Sequence, residues 1–200
     1  MVRKTLSIRE ARRARAHLIA QQRMQTWARI GFALAGIAFI ELHAPFSHPE
    51  LYARLARAFH LFAAGYLLYQ ALSFFWISRR PRALIRFVVS PALDVIAVAF
   101  GMLLDGGLRS DVFFVFFAIT LGNALRYGPV MALYSTTLAL VGFVVVVALS
   151  HLWGLAGDAS EILWRAATLL GLSAYVNAMF KREARVRAHR RQAEAALEAV

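Results

Sequence analysis

Residues 129–152 read PVMALYSTTLALVGFVVVVALSHL, a stretch without a single Asp, Glu, Lys or Arg. A helix of about 20 mostly apolar residues is what crosses a bilayer, because a backbone N–H or C=O left unpaired in hydrocarbon costs several kcal/mol and a helix pairs them internally. This stretch is therefore read as a membrane span. Outward from it the pattern repeats, at about 26–42, 56–78, 83–104, 112–125 and 162–180, which makes six spans with short connections. The fourth is brief and either reaches into the polar layer or sits inside the bundle. The expected fold is all-α, a polytopic membrane protein of six transmembrane helices with a cytoplasmic C-terminal helix or coiled-coil linker.

Composition agrees with this. Of 200 residues 60% are hydrophobic and 17% charged, where soluble domains run near 45–50% and 25%. That excess excludes disorder, collagen-like repeats and a nucleic-acid-binding core. Zero cysteine excludes disulfide frameworks, thiolate metal sites and thiol catalysis. The net charge of +12 is concentrated outside the spans, chiefly toward the two ends of the sequence. With both termini inside, 19 of the 23 Lys and Arg fall on the cytoplasmic side, leaving Arg54, Arg57, Arg109 and Arg165 outside with six acids. Excess Lys and Arg mark the cytoplasmic face. Trp27, Trp76, Trp153 and Trp164 all lie near span ends, where an amphipathic ring is favoured.

The organisation expected is a basic amphipathic cytoplasmic segment at 1–25, a six-helix transmembrane domain at 26–180 and a cytoplasmic helix at 181–200. The basic start is too long for a secretory signal and five more spans follow the first, so it reads as a retained anchor. Ser7 with Glu10 has capping-box spacing, placing a helix start at Ile8.

An ionisable group within a span needs a reason, since it costs about 2.5–3.5 kcal/mol or more at mid-bilayer. Asp94 lies near the middle of the third span, three residues after Pro91, whose ring removes one helical hydrogen bond. It is expected to anchor a polar core with Asn123, Arg126, Tyr127 or Asn177. Glu41, closing the first span, and His60 are the further candidates for ligand-binding or signalling groups. His43, His48, His60 and His151 share the outer half, and a haem- or quinone-linked sensor using His60 and His151 is one alternative. They lack metal-ligand spacing, so neither metal nor cofactor is expected. At the end of the fourth span Gly122 suggests close helix approach, and Gly128-Pro129 a sharp turn into the fifth.

The run Gly122-Asn123-Ala124-Leu125-Arg126-Tyr127-Gly128, with Leu93-Asp94 about thirty residues upstream and Gly106-Gly107 after the third span, resembles the membrane input region of Rpf-type sensors. These are hybrid histidine kinases that detect diffusible signal factor, a cis-unsaturated fatty acid used in bacterial cell-to-cell communication. The resemblance is best from about Ala83 to Leu152, with Ala124 where the family has glycine. It implies that Asp94, Asn123, Arg126 and Tyr127 take the positions of the family's polar core. It also implies a two-component, quorum-sensing role in the bacterial inner membrane.

No phosphate loop and no carboxylate pair set for acid–base work is present, so no catalytic domain is expected in these residues. His189 lacks the context of a phosphoacceptor. From Met179 an apolar seam recurs every seven residues at Val186, Ala193 and Val200, with Glu183, Arg190 and Leu197 as companions. The resulting expectation is a homodimeric signal-input module that takes a lipophilic signal from the membrane, contacts membrane lipids, binds no nucleic acid and passes the signal through the last helix. A nucleotide cyclase anchor has the same input plan. A small transporter would need a continuous polar path, and no inverted repeat is visible.

Overall fold

The computed structural model describes residues 8–79, 84–155 and 157–198, and every regular element among them is helical. In chain order these are α1 (Ile8–Ser47), α2 (Pro49–Arg79), α3 (Leu84–Leu104), α4 (Val115–Tyr127), α5 (Pro129–Leu152) and α6 (Ala159–Glu198). Two single 3-10 turns, Gly107–Arg109 and Asp111–Phe114, join α3 to α4. Among the described residues four helical stretches are long and apolar enough to cross a membrane: Arg15–Ser47, Pro49–Arg79, Arg86–Leu104 and Pro129–Leu152. The other two expected spans are helices but fall outside that set. α4 has 13 residues, about 20 Å at 1.5 Å per residue, against roughly 30 Å of hydrocarbon. The apolar run of α6 is interrupted by Arg165, Thr168, Ser173 and Asn177.

Prolines and glycines punctuate the chain where the backbone requires it. Pro49 opens α2 and Pro129 opens α5, positions where a missing N–H would be unpaired anyway. Gly128 alone separates α4 from α5, at φ +85° and ψ −169°, a conformation closed to residues with a Cβ. Its N–H bonds the Ala124 carbonyl at 2.9 Å and its carbonyl accepts from Ala132 N–H at 3.1 Å. Pro91 is fully buried inside α3, which continues through it. α1 passes without a break through residues 25 and 26, so the basic segment and the first span are one helix. Ser7, the expected cap, lies outside the described residues.

The chain divides into two compact units, Met1–Leu93 and Asp94–Val200. The first is built on an antiparallel α1–α2 hairpin with one constant register: Arg23 meets Ser78, Trp27 meets Phe74, and Glu41 meets His60. Between Thr26 and Ile40 no residue of α1 is buried, and Phe32 is 75% exposed. The residues that α1 does bury on the Arg23 side are Gln22, Gln25 and Thr26.

The second unit has an apolar core of Val95, Val98, Met102 and Leu103 from α3, Phe116 from α4, Ala139, Phe143 and Val146 from α5, and Leu169 from α6. Phe113 is its aromatic hub, with ring centroids 5.2 Å from Phe117 and 5.5 Å from Phe143, both T-shaped. Such pairs add about 0.5–1.5 kcal/mol beyond area burial. A second small cluster joins Ala124, Ala132 and Val176.

The close approach expected at Gly122 is not there. A Cβ built on Gly122 would meet nothing within 4 Å, whereas one on Gly142 would lie 2.6 Å from Val95 Cγ1. Gly142 faces the packed core and Gly122 faces outward, so only the former is a steric requirement. Gly142→Ala is expected to destabilise the protein by about 1–3 kcal/mol through overpacking. Gly122→Ala should be neutral or stabilising by up to about 1 kcal/mol, from helix propensity. Thermal denaturation of the two variants in the same detergent checks the opposite signs.

Candidate functional site

α6 is gripped along one face by groups of two chemistries. Arg165, Leu169, Ser173 and Val176 recur at intervals of four, four and three, which stacks them on a single side of a helix. Leu169 and Val176 are buried in the two apolar clusters. Arg165 and Ser173 make polar bonds.

Arg165 clasps the α3–α4 connection. Its Nη1 donates to the Ser110 carbonyl at 2.7 Å and its Nη2 to Glu161 Oε1 at 3.3 Å. The guanidinium lies 4.9 Å from the Phe113 ring centroid, a cation–π arrangement. Ser110 is itself tied down: its hydroxyl donates to Asp105 Oδ2 at 2.6 Å and accepts from Val112 N–H at 3.1 Å. Gly107, at φ +68°, lets the same connection approach α5, since a Cβ there would sit 2.5 Å from Ser150 Oγ.

Ser173 belongs to a buried polar seam that crosses α4, α5 and α6. The Gly128 turn brings α5 back along α4, so that Asn123 Nδ2 donates to Ser135 Oγ at 2.9 Å, with both residues buried. The next residue, Thr136, has one hydroxyl proton and two acceptors at 2.9 Å, the Ala132 carbonyl of its own helix and Ser173 Oγ of α6. Ser173 Oγ donates in turn to the Leu169 carbonyl at 2.7 Å. If α5 and α6 separate here, each hydroxyl keeps a partner on its own helix. The usual penalty for leaving a buried polar group unmade is thereby avoided.

The first unit holds a separate cluster at the α1–α2 turn. Glu41 accepts from Tyr52 OH at 2.5 Å and lies 2.8 Å from His60 Nε2. His60 is 54% exposed at its side chain and Glu41 35%.

The candidates named from sequence therefore divide. Glu41 and His60 meet in the first unit, together with Tyr52, which sequence reasoning missed. Asp94 is buried on α3, Asn123 is buried in the α4–α5 bond, and Tyr127 ends α4 half-buried. Arg126 is helical, but its side chain and that of Asn177 lie outside the described ones. Among the described residues no group of three His, Asp or Glu is placed to hold a metal ion. His43 bonds Ser47 at 3.0 Å and stacks on Phe39.

Ser135, Thr136, Ser173 and Arg165 were not singled out in the sequence. Arg165 carried a signal, being a charge within an apolar helix. The hydroxyls carried none, because Ser and Thr recur in helices where they bond their own backbone.

No known protein family matches the chain, and no curated protein or solved structure is significantly similar to it.

Arg165→Met keeps the stem and removes the bonds to Ser110 and Glu161. A hydrogen bond from a charged donor is worth about 1.5–3 kcal/mol. Amide hydrogen exchange across residues 105–114 is therefore expected to quicken by roughly 10- to 100-fold, while residues 130–150 of α5 stay protected.

Proposed function

We propose that this chain is a membrane signal-input module in which six helices cross the bacterial inner membrane, both termini are cytoplasmic, and α6 carries the output. The observation that supports this best is the Thr136–Ser173 contact, a polar link between α5 and α6 that can open without orphaning either hydroxyl. A ligand can shift a two-state element only by its differential affinity, usually a few kcal/mol, so the element must be cheap to move. The polar part of the α5–α6 contact meets that requirement, and it lies on a helix of 40 residues that runs unbroken to Glu198.

The proposed sequence of events is built on that arrangement. A lipophilic, fatty-acid-like signal enters from the membrane and binds near the polar residues of α3 and α4, Asp94, Asn123, Arg126 and Tyr127. Repacking of α4 reaches α5 through Asn123–Ser135 and the one-residue Gly128 joint, and α6 through Thr136–Ser173. The far end of α6 meets its dimer mate through the seven-residue seam. Met179 and Val186 of that seam are 54% and 45% exposed in the single chain, which suits a surface completed by a second copy. The output is a histidine kinase, as in the Rpf-type sensors that the chain resembles. A nucleotide cyclase is served by the same movement.

Full-length chain in nanodiscs, spin-labelled at Val186, tests the proposal. Palmitoleic acid is expected to change the distance between the two labels of a dimer, and its saturated counterpart to do so less. Thr136→Val, which keeps shape and removes the link, should abolish the change while leaving the dimer intact. A distance insensitive to both lipids, or a response unchanged in Thr136→Val, overturns the reading.

A further inference from the structure

The end of the first unit opposite the Glu41–Tyr52–His60 cluster has an inverted polarity that the sensor reading does not use. There α1 buries Gln22 and Gln25, and α3 buries Arg86, which is only 6% exposed. Arg86 Nη2 donates to Gln22 Oε1 at 3.2 Å. The next residue of α1, Arg23, is exposed; its Nη2 donates to Ser78 Oγ at 2.6 Å and its guanidinium lies 4.9 Å from the Phe74 ring centroid. Gln22 and Arg23 are adjacent on α1 but point to different sides, so Arg86 is held on the inner side of the helix and Arg23 lies on its surface at a similar height.

Charge and depth narrow what belongs beside them. Met1–Leu93 contains three acidic residues, and two of them, Glu41 and Glu50, sit at the α1–α2 turn at the other end. The Arg23 end carries exposed Arg15 and Arg79 as well. Trp27 packs edge-on against Phe74 at 5.8 Å and is 61% exposed, and Trp76 is 41% exposed. Exposed tryptophan beside arginine marks the headgroup layer, and the positive-inside bias makes that layer the cytoplasmic one. Basic pockets between helices at this depth suit the phosphate of an anionic lipid.

We infer that Arg23 and Arg86 form a binding site for the phosphate of an anionic phospholipid of the inner leaflet. Arg23 contacts the phosphate directly while its stem lies on Phe74. Arg86, held by Gln22, supplies a second fixed charge from behind, and the acyl chains run along the exposed apolar face of α1 that begins at Trp27. The inference rests on the proposed membrane topology, with the N-terminus inside, and is independent of signal sensing.

Lipid retention by the purified full chain, read by native mass spectrometry, decides it. Phosphatidylglycerol is expected to be retained over phosphatidylcholine of the same chains, and millimolar inorganic phosphate not to displace it. Arg23→Gln should lower that retention about fivefold, one basic group near a membrane surface contributing about that factor. Arg86→Gln should do the same, and Arg54→Gln, at the far end, should change nothing. Arg23 is exposed, so its variant folds even if the Arg86 variant does not. Equal retention of the two phospholipids, wild-type retention by Arg23→Gln, or preference for oleate over phosphatidylglycerol overturns the site.

Discussion

The constraint behind this structure is a surface more apolar than much of what it encloses, which suits apolar surroundings. Phe32, Leu42, Phe75 and Val130 stand outward while Gln22, Gln70, Arg86, Asn123 and Ser135 turn inward. In water each exposed large side chain would forgo about 1.5–3 kcal/mol of burial, and each inward polar group would have to compete with solvent for its partner. In lipid the first cost disappears. What holds helices together is then close packing and bonds between polar groups. Both occur in the second unit, where Gly142 admits Val95 and Asn123 reaches Ser135.

That principle also explains which parts were legible from the residues alone. Long uncharged runs locate helices because a membrane imposes a length, so α3 and α5 begin and end near their expected positions, and α2 ends near its own but starts seven residues earlier, at Pro49. The Gly128-Pro129 pair forecast a turn because its backbone chemistry is local. Gly122 misled: whether a small residue marks a helix contact depends on which neighbour faces it, and that is tertiary information. The segment 1–25 is expected to be a basic amphipathic helix, and α1 does run through it; which of its residues turn inward, Gln22 and Gln25, is tertiary information as well.

The polar groups of the site followed the same division. Asn123, an amide in an apolar helix, stood out. Its partner Ser135 and the Thr136–Ser173 pair did not, since hydroxyls hide in helices by bonding their own carbonyls. That self-sufficiency is also why the proposed signalling step is placed at this pair. A contact whose members are satisfied apart as well as together adds little to stability and much to adaptability, whereas the Arg165 clasp on Ser110, Glu161 and Phe113 fixes one end of α6 and gives any movement at Ser173 a pivot.

The joint at Gly128 has a mechanical meaning of its own. A linker of several residues acts as slack, absorbing a twist of one rod before the next feels it. A single residue, hydrogen-bonded to the helix on each side, leaves little chain to absorb a displacement, so the thirteen residues of α4 and the twenty-four of α5 are joined through one peptide unit.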